Sequence, residues 1–148
     1  GWVHAGPAVI SRITKYAFLD SGGGLAPFTS ALIRRCLENG ALEEHIASLR
    51  QAYRARRDAL LEVLRAGLAD RSEFGYTEPE GGYFVWLTLP EGNSAEEILP
   101  RAKAEGVSFV PGTRFSAGGA LQRCLRLSFS YYTPEEIAEG ARRLLSAL

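Results

Sequence analysis

The amino-acid sequence predicts an α/β fold, a small, mostly antiparallel sheet covered by helices and preceded by long helices. Three features carry that expectation. From Phe74 onward the elements run strand, strand, helix, strand, strand, helix. Tyr83 to Leu89, Tyr-Phe-Val-Trp-Leu-Thr-Leu, is dense in aromatic and β-branched residues, which suit a pleated, half-buried surface. Upstream, Leu42, Ile46, Leu49, Tyr53, Leu60, Leu64 and Leu68 recur every three or four residues and predict one helix from Ala41 to Ala69. At about 1.5 Å per residue it would be about 40 Å long, too long for one small domain, so it is expected to connect two bodies.

Taken in order, Trp2 to Ala5 has the apolar character of a strand end. Gly6-Pro7 starts a helix, because proline is preorganised for the first helical position, and Val9, Ile10, Ile13 and Ala17 carry it to about Phe18. Asp20-Ser21-Gly22-Gly23-Gly24 ends it. Three glycines permit close approach to a phosphate or another chain, but no Gly-Lys-Ser or Gly-x-Gly-x-x-Gly frame accompanies them, and a turn is the plain reading. Pro27 opens the next helix, with Phe28, Ala31, Leu32 and Cys36 on one side, closing at Asn39-Gly40. On the long helix, Arg50, Arg54, Arg56, Arg57 and Arg65 are interspersed with Glu43, Glu44, Asp58 and Glu62, which reads as a solvated face and not a nucleic-acid patch.

Phe74 to Thr77 is expected as an edge strand, and Glu78-Pro79-Glu80-Gly81-Gly82 as a turn. Pro90 stops the Tyr83 strand. Ser94-Ala95-Glu96-Glu97 has the form of a capping box for a helix running to Gly106, in which Pro100 should cause a kink or the loss of a hydrogen bond. A short apolar run, Val107 to Val110, stops at the Pro111-Gly112 turn, and Leu125 to Phe129 forms the next strand. Thr133-Pro134-Glu135-Glu136 is a second capping box, with Ile137, Ala141, Leu144, Leu145 and Leu148 as the buried stripe of the last helix.

Composition narrows the function classes. The chain has 148 residues, 46% hydrophobic and 23% charged, with zero formal net charge, so nothing points to nucleic acid or an anionic membrane as partner. No apolar run approaches the roughly 20 residues that span a bilayer. Cys36 and Cys124 lie far apart without a Cys-x-x-Cys pair, which is economical for two free thiols in a reducing, cytoplasmic setting. The chain opens on Gly1-Trp2 and contains no methionine, so a fragment of a longer protein is expected.

One residue stands out chemically. In the strand from Leu125, Leu127 and Phe129 share a face with Leu125, and Arg126 shares the other with Ser128. Arg126 is thus a lone guanidinium among residues built for burial. Its planar fork suits a carboxylate held by two parallel hydrogen bonds, supplied either by the protein or by a ligand. The usual catalytic constellations are absent from the pattern. His4 and His45 are too far apart in sequence to suggest a metal-ligand pair. Ser128 has no base nearby in sequence, and Lys15 and Lys103 sit in amphipathic helices without the burial or cationic neighbours that would activate them.

Together the motifs resemble a known family. Gly81-Gly82-Tyr83-Phe84-Val85-Trp86-Leu87, then Gly106-Val107-Ser108-Phe109-Val110-Pro111-Gly112, then Leu125-Arg126-Leu127-Ser128-Phe129-Ser130 are similar, in order and spacing, to the C-terminal part of class I/II aminotransferases of pyridoxal-phosphate fold type I. Gly1-Trp2-Val3 resembles the stretch after that family's phosphate-binding arginine. Ser21 to Ser30 resembles the interdomain segment of the 2-aminoadipate and kynurenine aminotransferase subgroup.

The resemblance implies residues 1–20 as the tail of the large cofactor domain, 21–69 as interdomain loop and helices, and 70–148 as the small C-terminal α/β domain. It implies that Arg126 binds the substrate α-carboxylate and that Phe84 packs near the substrate, sheet core being the equal alternative for Phe84. Gly112 would allow a turn that brings Thr113 and Arg114 along the pocket. Gly22 to Ser30 would approach the neighbouring subunit of a homodimer. The implied cofactor is pyridoxal 5'-phosphate, the implied substrates an amino acid and a 2-oxo acid. The family's Schiff-base lysine and most of its phosphate cup would lie before Gly1, so residues 1–148 alone are expected neither to hold the cofactor tightly nor to transaminate. A lyase or decarboxylase of the same fold, a ligand-sensing domain of a DNA-binding regulator, and a non-catalytic dimerisation module are the alternative readings.

Overall fold

The computed structural model describes residues 2–17 and 26–148. The chain divides into two compact units, Gly1–Ser48 and Leu49–Leu148. Gly22 to Leu25, with Asp20 and Ser21 of the expected turn and the predicted helix end at Phe18, lie outside the described residues.

The first unit holds α1, Pro7–Thr14, and α2, Pro27–Glu38, each with proline in its opening positions. Helix α1 ends at Thr14 with Lys15 as its cap, earlier than expected. Asn39 caps α2, and Gly40 at φ +77° turns the chain into the next helix, where Asn39 Oδ1 accepts from the Ala41 N–H at 3.1 Å. The strand expected over Trp2 to Ala5 is not formed: the one sheet among the described residues lies between Gly75 and Ser128, and a strand needs a ladder partner. Neither α1 nor α2 buries a residue, so the apolar stripes that predict them lie open, with Val9 half exposed and Phe28 82% exposed.

Helix α3, Ala41–Gly67, is continuous over 27 residues and crosses the sequence boundary between the units. Its C-terminal half carries Leu60, Leu61 and Leu64 into the core of the second unit. Gly67 ends it against Leu145, where any β-carbon would strike that side chain. The basic run is not simply solvated. Arg56 Nη1 donates to the Ser130 carbonyl at 2.9 Å, Arg57 Nη1 to the Pro79 carbonyl at 3.2 Å, and Arg65 pairs with Glu78 at 2.7 Å. Spacing on a helix shows that these cations share a surface, but not that loops distant in sequence fold back onto it.

The sheet of the second unit has the order β1-β2-β4-β3, all pairs antiparallel, from β1 Gly75–Tyr76, β2 Phe84–Thr88, β3 Val110–Pro111 and β4 Cys124–Ser128. Between β2 and β3 runs α4, Ala95–Ala104, and after β4 runs α5, Pro134–Ala147. One face of the sheet, Val85, Leu87, Leu125 and Leu127, packs with Leu60, Leu64, Ile98, Ala102, Ile137, Ala141 and Leu144 into a single core. At roughly 25 cal/mol per Å² of apolar surface removed from water, this one-sided burial is what holds the helices to the sheet. The expected α/β class is the observed one.

Local departures have local causes. Ser94 caps α4 by accepting from the Glu96 N–H at 3.3 Å, not through the reciprocal box expected with Glu97, whereas Thr133 and Glu136 do form the full box at α5. Helix α4 stops at Ala104 because Gly106 at φ +76° allows a Schellman turn, with Gly106 N–H donating to the Lys103 carbonyl and Val107 N–H to the Ala102 carbonyl. Strand β3 starts at Val110 and includes Pro111, a proline tolerated because β3 is an edge strand. The turn after it is a 3-10 turn, Gly112–Phe115.

Candidate functional site

The second face of the sheet carries the chemistry. Alternation along β2 and β4 puts Phe84, Trp86 and Thr88 beside Ser128, Arg126 and Cys124, pair by pair, on the side away from the core. Arg126 stands in the middle row, opposite Trp86 on one side and Val110 on the other. The 3-10 turn that follows β3 brings Phe115 over this row.

Two rings lie close to the guanidinium. Its central carbon is 3.9 Å from the centre of the Phe84 ring and 4.3 Å from that of Phe115. Trp86 meets Phe115 edge to face, with centres 5.5 Å apart and planes at 85°. Two aromatic quadrupoles therefore lie against the cation, and cation–π contact of this kind leaves N–H groups free to form hydrogen bonds. Nε is buried with no partner, and among the described residues no carboxylate pairs with this arginine. A buried donor without an acceptor is costly, so an acceptor supplied at this edge would be worth more than one at an exposed cation. Of the two partners that the sequence leaves open, the protein's own acid is not the one the described residues supply.

The other expected site residues separate. Phe84 stacks on the guanidinium, so its ring belongs to the Arg126 face and not to the core. Gly112 is required for a different reason than a turn. Its φ is not positive, but a β-carbon there would run into the Leu121 carbonyl and lie 2.9 Å from Cys124. Thr113 donates its hydroxyl to Glu96 of α4 at 2.7 Å, and Arg114 is exposed, so it is Phe115 that reaches Arg126. The sequence did hold a signal for it: the turn sets an aromatic residue three positions after Gly112, next to a strand whose own aromatics flank Arg126.

Two concavities lie elsewhere. One of about 720 Å³ opens beside α5, between Leu60, Leu127, Ile137 and Leu144, with Lys103 and Arg143 on its walls. It is a gap along the seam of the core and does not include Arg126. The other, of about 640 Å³, is formed largely by the loops around Gly92 and Gly119 to Arg123 and touches the Thr88 and Cys124 end of the Arg126 face. Among the described residues no group of three or more His, Cys, Asp or Glu is placed to hold a metal ion, and no helix is long and apolar enough to cross a membrane. Lys103, the only lysine in the second unit, sits in α4 on the core side of the sheet, so no amine of this unit faces Arg126.

The profile of the family Aminotransferase class I and II matches residues 2–144. This chain belongs to that family. It is 36% identical over its whole length to aromatic-amino-acid aminotransferase 1 of Thermococcus litoralis, of which it covers 35%. It is 43% identical over 117 residues to the 2-aminoadipate transaminase of Thermus thermophilus, covering 79% of this chain and 29% of that one. Among solved structures it is similar to LysN, the α-aminoadipate aminotransferase of Thermus thermophilus in complex with N-(5'-phosphopyridoxyl)-L-leucine, with a TM-score of 0.79 and 35% identity over 97% of this chain and 36% of that one. This aminotransferase-family chain thus spans about a third of the length of the relatives it matches, and those homologues are pyridoxal-phosphate-dependent enzymes.

Proposed function

We propose that this chain is the C-terminal part of a cytoplasmic amino-acid aminotransferase in which Arg126 grips the α-carboxylate of the amino acid and of the 2-oxo acid in turn. The observation that carries the reading is the guanidinium with a buried, unpaired Nε and two aromatic rings against it. Two parallel hydrogen bonds from its edge fix both the position and the plane of a carboxylate, so the substrate's amino or keto carbon is presented in one orientation. Phe84 walls the same place and excludes water from one side of the pair.

The residues present fit the acid end of a substrate and not the cofactor itself. Pyridoxal phosphate, when bound in the whole protein, supplies an electron sink at the substrate's α-carbon. Residues 1–20 are read as the tail of the domain that holds it, 21–69 as the connecting segment and 70–148 as the small domain. The uncovered apolar positions on α1 and α2, Val9, Ile13, Phe28 and Leu32 among them, are read as surfaces that meet the rest of the protein and a second copy.

The test uses the whole protein. Arg126→Ala should raise the KM of amino acid and oxo acid alike by about a hundredfold, since a buried charge-assisted pair is worth on the order of 2–5 kcal/mol when one partner is removed. Unchanged KM values would overturn the reading. Product analysis of the same enzyme should give a keto acid with its amine transferred; eliminated or decarboxylated fragments would replace the transferase by a lyase. Residues 1–148 alone, mixed with pyridoxal phosphate and dialysed, should retain no cofactor absorbance.

A further inference from the structure

We infer that Phe115 is a positioning residue for the carboxylate anchor, held in place by the hydrogen bond from Thr113 to Glu96; the inference rests on the reading of Arg126 given above. Phe115 is 44% exposed and stands outside the core, so folding alone does not account for an aromatic ring there. What it touches is the Arg126 guanidinium, 4.3 Å from ring centre to carbon, and Trp86, which it meets edge to face. The turn that carries it is fixed at two points. Gly112 packs directly against Leu121 and Cys124, and the Thr113 hydroxyl donates to Glu96 Oε1 at 2.7 Å, tying the turn to the first turn of α4.

The physical consequence concerns orientation. With Phe84 alone, the guanidinium would rest on one ring and be free to tilt off it. Phe115 adds a second ring contact, which restricts that tilt and holds the N–H edge. A planar carboxylate binds best to a fork whose plane is already set, because less conformational freedom is lost on binding. Cation–π contacts use the faces of the cation and hydrogen bonds use its edge, so the two do not compete. Thr113 and Glu96 hydrogen-bond to each other and act on the anchor through Phe115.

The experiment compares Phe115→Ala, Phe115→Tyr, Thr113→Val, Thr113→Ser and Arg126→Ala in the cofactor-loaded full-length enzyme. KM and kcat are measured with the amino acid and the oxo acid that give the highest rate in a panel of proteinogenic amino acids against 2-oxoglutarate and pyruvate. Phe115→Ala is expected to raise both KM values by about tenfold, the size of one partly exposed cation–π contact, with kcat little changed, because the contact acts equally in the ground and transition states. Thr113→Val should do the same more weakly, and Phe115→Tyr and Thr113→Ser should restore the starting values. Thermal melting of each variant separates loss of fold from loss of orientation. If Arg126→Ala raises both KM values while Phe115→Ala leaves them alone, the anchor stands and the positioning role is overturned. That role is equally overturned if Phe115→Tyr is as defective as Phe115→Ala. If Arg126→Ala changes nothing, the anchor reading falls and this inference falls with it.

Discussion

Arg56 and Ser130 are joined across the second unit: Nη1 of the arginine in α3 donates to the serine's carbonyl at 2.9 Å. Ser130 lies just beyond β4, so the long helix holds the chain where it leaves the strand that carries Arg126. The same arginine lies 5.7 Å from the centre of the Tyr53 ring, which steadies its side chain. Arg56→Met keeps the apolar stem and removes the donor. It should lower stability by about 1.5 kcal/mol, the low end for a partly exposed charged hydrogen bond, measured by denaturant unfolding. An unfolding midpoint equal to the parent's would show that water replaces the guanidinium at no cost.

Gly112 and Gly118 offer a paired test of close packing. A β-carbon at Gly112 meets the Leu121 carbonyl and Cys124, whereas at Gly118 nothing lies within 4 Å. Gly112→Ala should therefore cost about 1–3 kcal/mol through overpacking against backbone that cannot give way. Gly118→Ala should leave the melting temperature almost unchanged. Equal effects of the two would contradict the packing described around the 3-10 turn.

Leu64 is fully buried in α3 and faces the sheet. Leu64→Ala should destabilise the second unit by about 2–5 kcal/mol, the lost transfer energy plus the cavity left behind. Leu32→Ala on α2, at a site 55% exposed, supplies the comparison and should cost far less in this chain. In the whole protein the reading of α2 as a docking surface raises that cost, so the difference between fragment and full-length protein measures the burial that the remaining chain adds.

Acid pH acts on two surface carboxylates. Glu139 accepts from Arg143 and from Arg142 at 2.9 and 2.8 Å, and these bonds, that of Arg143 foremost, hold its carboxyl below the usual range. Glu78 is lowered in the same way by its hydrogen bonds from Arg65. A carboxyl with a depressed folded value binds fewer protons folded than unfolded. Its contribution is thus complete above the unfolded value, about 4.3, and fades as pH falls through the lower folded one. Both groups are exposed, so the effect is small and screened by salt. Glu78→Gln with Glu139→Gln should give a melting temperature that falls less steeply between about pH 5 and pH 3 than the parent's. Parallel acid limbs in low salt would count against both pairs.

Much of this was legible in the residues. The strands and helices from Leu60 onward follow from alternation, caps and periodicity, because each is set by neighbours a few positions apart. Arg126 could be singled out for the same reason: a period of two sends its side chain away from Leu125 and Leu127. The errors fall where distant segments meet. Trp2 to Ala5 has strand character but, among the described residues, no ladder to join, and Arg56 and Arg57 look fully solvated until distant carbonyls fold onto them.

By itself the sequence determined the α/β class, the family and the arginine, since all three are written in local pattern and in the order of short motifs. Only the tertiary structure decided that the guanidinium has no internal acid to pair with among the described residues and that Phe84 and Phe115 both close on it. Those facts depend on strand register and on one tight turn, and both are fixed by packing between segments far apart in the chain. No local pattern encodes such contacts, because their energy exists only once the sheet has formed.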